Sequence, residues 1–554
     1  METNQPITTQ KKSPLKWIIL VIILGIGAGA AAVYGFGISN SPKALYLRAE
    51  YNTYKQFQED LDEYYGDELA FQERVMDEPS RTITELSGNF DVQGSYLPQE
   101  IGLVQSILEQ LTINMTSEQD PTKSESFVNV GLEMGGANLL DMNVVQTKDK
   151  LGLQVPVLYD QMLYVEAENF GEAMRQIDPY YEGPEQLNFE SYSYKDFQLT
   201  DKEKEHLKEN YGLFLVSQLT DEQFTLEKGV SYEFNGVEQK LDKLTISWTP
   251  EETMTVINQL IDKLIEDAEL QTMIADRVTK FASNPALAGE LGVDDLSSPE
   301  NVKRLFVEDL NGLKSDMEDL EFPNGLQSVV YINNDKQIVD RELATTIADK
   351  QDNGVKFVVS TKNVPLESKQ VAQGFKVEMG SLDEEAIIEF DVVNVITKGK
   401  ERNDALTATL YVEEYGRVEN DLKFEMNSTT NTNSENREVV THDFNLLFDG
   451  QMVDAGLSAI SGTITEEKEI NLNDDFGIYN YDIELNLGNE AEGANINFVM
   501  DTKTEFTDGI NVADKLNDAV NVAEMTEAEM MQLQQQVSLS AQQLIMSNMN
   551  LFMQ

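Results

Sequence analysis

No cysteine occurs anywhere in the 554 residues, so no disulfide can form. A chain exported without disulfides fits a Gram-positive bacterium better than a eukaryotic secretory route. Histidine is nearly absent: His206 and His442 are the two present, too few for a His-based metal cluster and thin material for a Ser-His-Asp arrangement. Both stand among polar residues and are expected at the surface. The motifs G-x-S-x-G, S-x-x-K with its companions, G-x-x-x-x-G-K and the dinucleotide fingerprint are missing. No catalytic signature is therefore present, and an enzyme is not expected. Basic residues are short as well, 41 Lys and Arg against 98 Asp and Glu, for a net charge of −57. Such a field repels nucleic acid and anionic headgroups and attracts divalent cations and basic partners. Its plainest use is to keep an exported protein soluble and monomeric.

Long apolar runs are missing with one exception, residues 17–38, WIILVIILGIGAGAAAVYGFGI. As a helix rising about 1.5 Å per residue this run covers about 33 Å, enough for a hydrocarbon core of about 30 Å. Lys11, Lys12 and Lys16 precede it, which by the positive-inside rule keeps the amino terminus in the cytoplasm and sends everything after Ser39 outside. Trp17 and Tyr34 suit the two interfaces. A cleaved secretory signal is the rival reading, with Ala30 and Ala32 as an A-x-A site, but the apolar run continues past that site to Ile38. No cysteine follows the span, which excludes a lipoprotein anchor. The expectation is a signal anchor in a cell membrane: a tail at 1–16, a transmembrane helix at 17–38 and an extracellular remainder. Setting aside Glu2 and the three lysines leaves that remainder 97 acids and 38 bases, a net charge near −59.

Hydrophobic periodicity divides the remainder. Leu47, Tyr51, Tyr54, Phe57, Leu61, Tyr64 and Leu69 recur at helical spacing and predict a helix over 41–76, started by Ser41 and Pro42. From about residue 83 the period becomes two: Val128, Val130, Leu132 and Met134 alternate with Asn129, Gly131 and Glu133, and an antiparallel meander is expected. A helix over 201–219 follows. Asn235-Gly236 between alternating residues marks a hairpin, because a type I′ turn puts both central residues at positive φ. Thr249-Pro250 starts a helix continuing to Phe281, and Ser298-Pro299 starts another, with a hinge loop at 284–297 between them. Beyond Gly325 the period is two for nearly all of the remaining chain, as where Leu422, Phe424 and Met426 alternate with Lys423, Glu425 and Asn427. The run NSTTNTNSENR at 427–437 is expected as a solvated loop. A last helix over 526–552 presents Met530, Leu533, Val537, Leu544 and Met549.

A sheet with one dry face must have something against it, and these helices are the candidates. The expected fold is thus α+β, an N-terminal transmembrane helix followed by curved antiparallel sheets each packed on one face by amphipathic helices. The extracellular part divides at about 320, into 39–320 and 321–554, although no sequence repeat proves duplication. The sharpest ion site is Ca²⁺ at Asn471, Asn473 and Asp475, with Asp474 beside them and Gly477 following. The glycine stands one place late for an EF-hand, and a polar turn explains the same letters better. No other metal and no cofactor is implied.

Two stretches carry resemblances. SPKALYLRAEYNTYKQFQEDL, directly after the span, resembles an uncharacterised family of membrane-anchored exported proteins from Bacillus-type bacteria. VPVLYDQMLYVEAENFGEAM, at 155–174, is similar to lipoprotein carriers of the LolA and LppX type, which implies a curved antiparallel sheet around helices enclosing an apolar cavity, here in two LolA-like halves. The expected function is a membrane-anchored, non-enzymatic envelope protein that binds a cell-wall or protein partner. The alternatives are a carrier or sensor of a lipid or other apolar ligand, and a hydrolase built on two carboxylates.

Overall fold

The computed structural model describes residues 41–548 save 94–104, 106, 184, 188, 190–192, 283–295, 297, 351–353, 367–368, 383–385, 400, 433–436, 451–458 and 490–491. The tail at 1–16, the apolar run at 17–38, most of the hinge loop at 284–297 and Met549 lie outside these residues. Among the described residues no helix is long and apolar enough to cross a membrane.

The chain opens with helix α1, Pro42–Asp77, and then six strands, β1 Ser80–Gln93, β2 Leu111–Asp120, β3 Glu125–Met134, β4 Ala137–Gln146, β5 Lys150–Val155 and β6 Tyr159–Glu166. Short helices α2 Phe170–Ile177, α3 Tyr194–Phe197, α4 Asp201–Leu207 and α5 Leu213–Ser217 follow, the last two joined by a π-helical turn at Lys208–Gly212. Strands β7 Phe224–Phe234 and β8 Val237–Trp248 lead into helices α6 Pro250–Glu266, α7 Ala268–Ala282 and α8 Pro299–Met317. Next come β9 Leu320–Glu321, β10 Leu326–Ile332, β11 Ile338–Asp349, β12 Gly354–Pro365, β13 Gln370–Ser381 and β14 Ala386–Thr397. The long strands β15 Glu401–Glu414, β16 Arg417–Thr432, β17 Glu438–Gly450, β18 Ala459–Asn471, β19 Phe476–Asn489 and β20 Glu492–Phe506 precede a short β21, Val520–Asn521, and helix α9, Glu527–Asn548.

These elements form two compact units that interleave in sequence. The first takes the chain to Asp60, then Leu199–Val364 and Phe375–Ile387; the second takes Leu61–Gln198, Pro365–Gly374 and Ile388–Gln554. In the first unit the antiparallel order is β7-β8-β10-β11-β12, with β9 on β11. Ala49 of α1 packs with Phe224, Leu244, Ile246, Val330, Ile332 and Ile338 of that sheet. On the same face Arg341 donates to Glu50 at 2.6 Å, and Glu50 is 5% exposed. A separate core joins the helices, from Tyr211, Leu260, Ile261, Leu264 and Leu270 to Phe306 and Leu310. Helix starts follow their capping residues. Thr249 accepts from the Glu252 N–H while Glu252 accepts from that of Thr249, with Pro250 at the first helical position; Ser298, before Pro299, caps α8 by accepting from the Asn301 N–H, without a reciprocal bond. The helix expected to run unbroken to Phe281 stops at Asp267, whose carboxylate accepts from the Leu270 N–H and starts α7 instead.

In the second unit the order is β15-β16-β17-β18-β19-β20-β1-β2-β3-β4-β5-β6, all antiparallel, with β21 parallel to β6. The expected solvated loop at 427–437 is corrected in its first half: β16 continues through Thr432, where Ser428 bonds His442 at 2.7 Å and Thr429 bonds Asn403 at 3.0 Å. Short hydroxyl and amide side chains that favour turns are held extended here because both neighbouring strands offer partners.

Residues 61–77 of α1 lie across one end of this sheet. Arg402 sits 4.4 Å and Lys398 5.2 Å from the Tyr64 ring centroid, Lys468 holds Glu68 at 2.9 Å, and Gln119 donates to the Val75 carbonyl at 2.6 Å. Phe71, 1% exposed, packs edge-on to Phe506 at 5.3 Å and against Tyr479 at 6.3 Å.

The α+β expectation is therefore corrected. Twenty-one described strands make β structure dominant, and α9, expected against the later sheet, runs beside β6. Phe71→Ala should remove about 3–5 kcal/mol of stability by leaving a cavity under α1; urea unfolding of the variant and the parent measures it.

Candidate functional site

Ten adjacent strands of the second unit, from β15 through β20 to β1–β4, carry side chains in strict alternation, and register decides what each face is made of. Leu406, Met426, Phe444, Gly462, Leu485, Ile496 and Phe90 stand directly opposite one another from β15 to β1. One step along the strands, Met500 pairs with Leu86, and Ile113, Leu132 and Leu140 continue that line through β2–β4. The apolar residues thus form one continuous band. At about 3.4 Å per residue, Ala494 to Met500 on β20 spans about 20 Å.

The neighbouring row has the opposite chemistry. Asn427, Asp443, Thr463, Glu484, Asn497 and Asn89 face each other across the same strands. Thr463 donates to Asp443 at 2.9 Å and Asn497 to Asp482 at 2.9 Å. Asp421, Asp443, Asp482, Glu484, Asp501 and Glu85 are exposed on this face.

The two ends of the apolar face differ. Where α1 crosses, Phe71, Ser80, Ser428 and Thr504 are buried, at 1%, 1%, 5% and 6% exposure. Beyond the helix the band of Leu406, Met426, Phe444, Leu485, Ile496 and Phe498 is half-buried. Two glycines shape it. The Phe444 ring lies across Gly462, its Cζ 3.0 Å from where a Cβ would stand, and Phe498 covers Gly88 at 2.9 Å. A side chain at either glycine would meet a neighbouring strand's carbonyl first, Glu484 O at 2.0 Å and Asn497 O at 2.6 Å, and then the ring.

The residues considered for Ca²⁺ form the turn between β18 and β19. Asn471 Oδ1 accepts from the N–H groups of Asn473 and Asp474 at 3.1 and 3.0 Å, and its Nδ2 donates to Asp474 at 2.8 Å. Asp475, at φ 60°, pairs with Arg74 at 2.9 Å, and Gly477 lies under the Phe71 ring. Asn471, Asn473 and Asp475 are together in one turn, but Asn471 is spent on closing it and Asp475 on anchoring α1. Among the described residues no three His, Asp or Glu side chains are grouped to hold a metal.

Sequence patterning missed the polar clusters of the first unit. Asp340, 7% exposed, accepts from Tyr232 at 2.6 Å and from Lys362 at 3.0 Å. Burial, and then the bond to Asp340, push the Tyr232 phenol well above its ordinary value, so it stays a donor and the three groups satisfy one another. Neither histidine is a free surface residue: His442 bonds Ser428, and His206, 15% exposed, bonds Asp267 at 2.7 Å. The signal for such clusters, one polar letter at a dry position of a strand, is indistinguishable in the sequence from an outward-facing residue.

No protein-family profile matches the chain, and no curated protein matches it. Solved structures do. The outer membrane protein OpdK of Pseudomonas aeruginosa is 5% identical, with 77% of this chain and 98% of that chain covered, at a TM-score of 0.23. A BenF-like porin from Pseudomonas fluorescens is 7% identical, with 78% and 98% covered, at 0.24. A bacterial polysaccharide outer membrane secretin is 6% identical, with 78% and 100% covered, at 0.23.

These findings correct several expectations. The recognition as a single-span Bacillus-type exported protein or as a LolA- or LppX-type carrier is withdrawn, because the described residues are dominated by one long antiparallel strand order whose apolar face the helices leave largely uncovered. The signal anchor, the single-pass cell-membrane location and a membrane partnership through one helix are not carried forward: the run at 17–38 lies outside the described residues, and among those no helix is long and apolar enough to cross a membrane. The partner-binding envelope protein, the carrier between sheet and helices and the carboxylate hydrolase are withdrawn too. The carrier needed helices over the apolar band, which is instead left half-buried, and the carboxylates of the wet face are exposed.

Gly462→Ala should cost about 3 kcal/mol or more, because a Cβ there would stand 2.0 Å from the Glu484 carbonyl oxygen and 3.0 Å from the Phe444 ring. Denaturant unfolding of the variant beside Phe444→Leu/Gly462→Ala, where the smaller side chain relieves part of the clash, tests the cause.

Proposed function

We propose that the protein is a non-enzymatic transport protein whose ten-strand sheet gives its apolar band to bilayer hydrocarbon and its acidic face to an aqueous path. The observation that carries this reading is the pairing of those two faces on the same strands. A band about 20 Å tall approaches the about 25 Å apolar belt of β proteins that cross membranes with strands, whose other face is polar. Backbone supply agrees. Each of β16–β20 and β1–β5 is hydrogen-bonded on both sides, as hydrocarbon requires of any strand it surrounds. A wall of exposed Asp and Glu lowers the energy of cations beside it and raises that of anions, so the path favours small cations.

The test is solute passage. Purified full-length chain is reconstituted into phosphatidylcholine vesicles, and release of a small cation is compared with that of an anion of equal size. Cation release exceeding anion release, lost when Phe444 and Ile496 are both replaced by Asp, is the expected result. Vesicles that keep both solutes at every protein-to-lipid ratio would overturn the reading.

A further inference from the structure

The π-helical turn of the first unit brings an asparagine amide against a histidine ring that two carboxylates also face. Within Lys208–Gly212 the backbone ladder is displaced, the Leu213 N–H reaching back five residues to the Lys208 carbonyl. Asn210 fills the gap: its Nδ2 donates to the His206 carbonyl at 3.1 Å and stands 3.1 Å from His206 Nδ1. A carbonyl only accepts, so the amide atom between the two groups is nitrogen, and Nδ1 must be the acceptor of its second N–H. His206 Nε2 meets Asp267 Oδ2 at 2.7 Å. That oxygen also only accepts, so Nε2 carries the proton. A neutral ring with its proton on Nε2 satisfies both contacts.

The surroundings decide what a second proton does. Asp267 also accepts from Tyr211 at 2.8 Å and from the Leu270 N–H at 2.9 Å. From α7, Glu269 Oε2 stands 3.4 Å from His206 Nδ1, and its other oxygen is held by Lys202 of α4 at 2.7 Å. Lys263 of α6 lies 5.7 Å from the Tyr211 ring. A proton on Nδ1 would set two donors, ring N–H and amide N–H, 3.1 Å apart, while Glu269 offers the ring an acceptor on the same side.

We propose that His206 is a pH-sensitive latch on this π turn. In its neutral form it holds Asn210; protonation at Nδ1 turns the ring N–H to Glu269, keeps Asp267 at Nε2 and releases the Asn210 amide. The turn then loses a side-chain contact beside its displaced ladder, and π turns occur frequently at functional sites.

Two histidines in the whole chain make the experiment tractable. Full-length protein labelled with ¹⁵N at histidine and asparagine is followed by NMR from pH 8 to pH 5, with His442→Gln assigning the rings and Asn210→Ala assigning the amide. His206 should show the Nε2–H tautomer at pH 8, and the Asn210 side-chain pair should move with the same midpoint as the ring. An Nδ1–H tautomer at pH 8, a ring that does not titrate over this range, or an Asn210 amide that stays fixed while the ring titrates would each overturn the proposal. His206→Gln, if folded, should leave the Asn210 pair without pH dependence.

Discussion

Register across the ten-strand sheet is the constraint on which the rest of the second unit depends. Side chains alternate with a period of two, so a slip of one residue between β17 and β18 would put Phe444 opposite Ser461 and Asp443 opposite Gly462. Each strand has its own reason not to slip. Its apolar residues are matched by those opposite, and its acids would otherwise be carried into the dry band, where an unpaired charge is costly. Phe444 over Gly462 and Phe498 over Gly88 add shape to chemistry, because a ring fits across a glycine at one register only.

Helix α1 uses that register. The positions that its residues 61–77 meet, Arg402, Glu438, Lys468, Tyr479 and Phe506, lie on the apolar side of the sheet, beyond the end of the band. There the strands switch from Leu, Ile and Phe to charged and hydroxyl side chains, and the helix answers with Tyr64, Glu68, Phe71 and Arg74. One face of one sheet therefore has two fates, covered and paired at one end, apolar and half-buried along the rest. On the reverse face acids predominate behind the band, and Ile83, Lys503 and Phe476 stand among them toward the end that α1 crosses. A large negative charge on that side is compatible with folding because the carboxylates remain in water, where each costs little to keep ionised.

Much of this was legible in the sequence. Alternation at Leu422, Phe424 and Met426 gave the strand and its faces, Asn235-Gly236 gave a hairpin with φ values of 49° and 75°, and Thr249-Pro250 and Ser298-Pro299 gave helix starts, because each is a local signal with a local cause. What covers the dry face is not local. The sequence reading assigned helices to it on the rule that an apolar face needs a partner, and that rule does not say whether the partner is protein or lipid. The same limit hid Asp340 and His206, whose roles depend on residues far along the chain, and it made a loop of Asn427–Thr432, whose turn-favouring letters are held extended by strands on both sides. Asn471, Asn473 and Asp475 share one turn because Asn471 closes it within three residues, a local cause that the polar letters already carry.

The absence of native cysteine allows the central claim to be tested position by position. Single substitutions Phe444→Cys, Leu485→Cys and Ile496→Cys on one row, and Asp443→Cys, Glu484→Cys and Asn497→Cys on the next, would each carry a nitroxide label in vesicle-reconstituted protein. Collision with oxygen, which concentrates in hydrocarbon, and with a water-soluble nickel chelate is then measured by paramagnetic resonance. The account predicts strict alternation, oxygen dominating at the first three positions and nickel at the second three. Labels on both rows reached equally by the nickel chelate would contradict it.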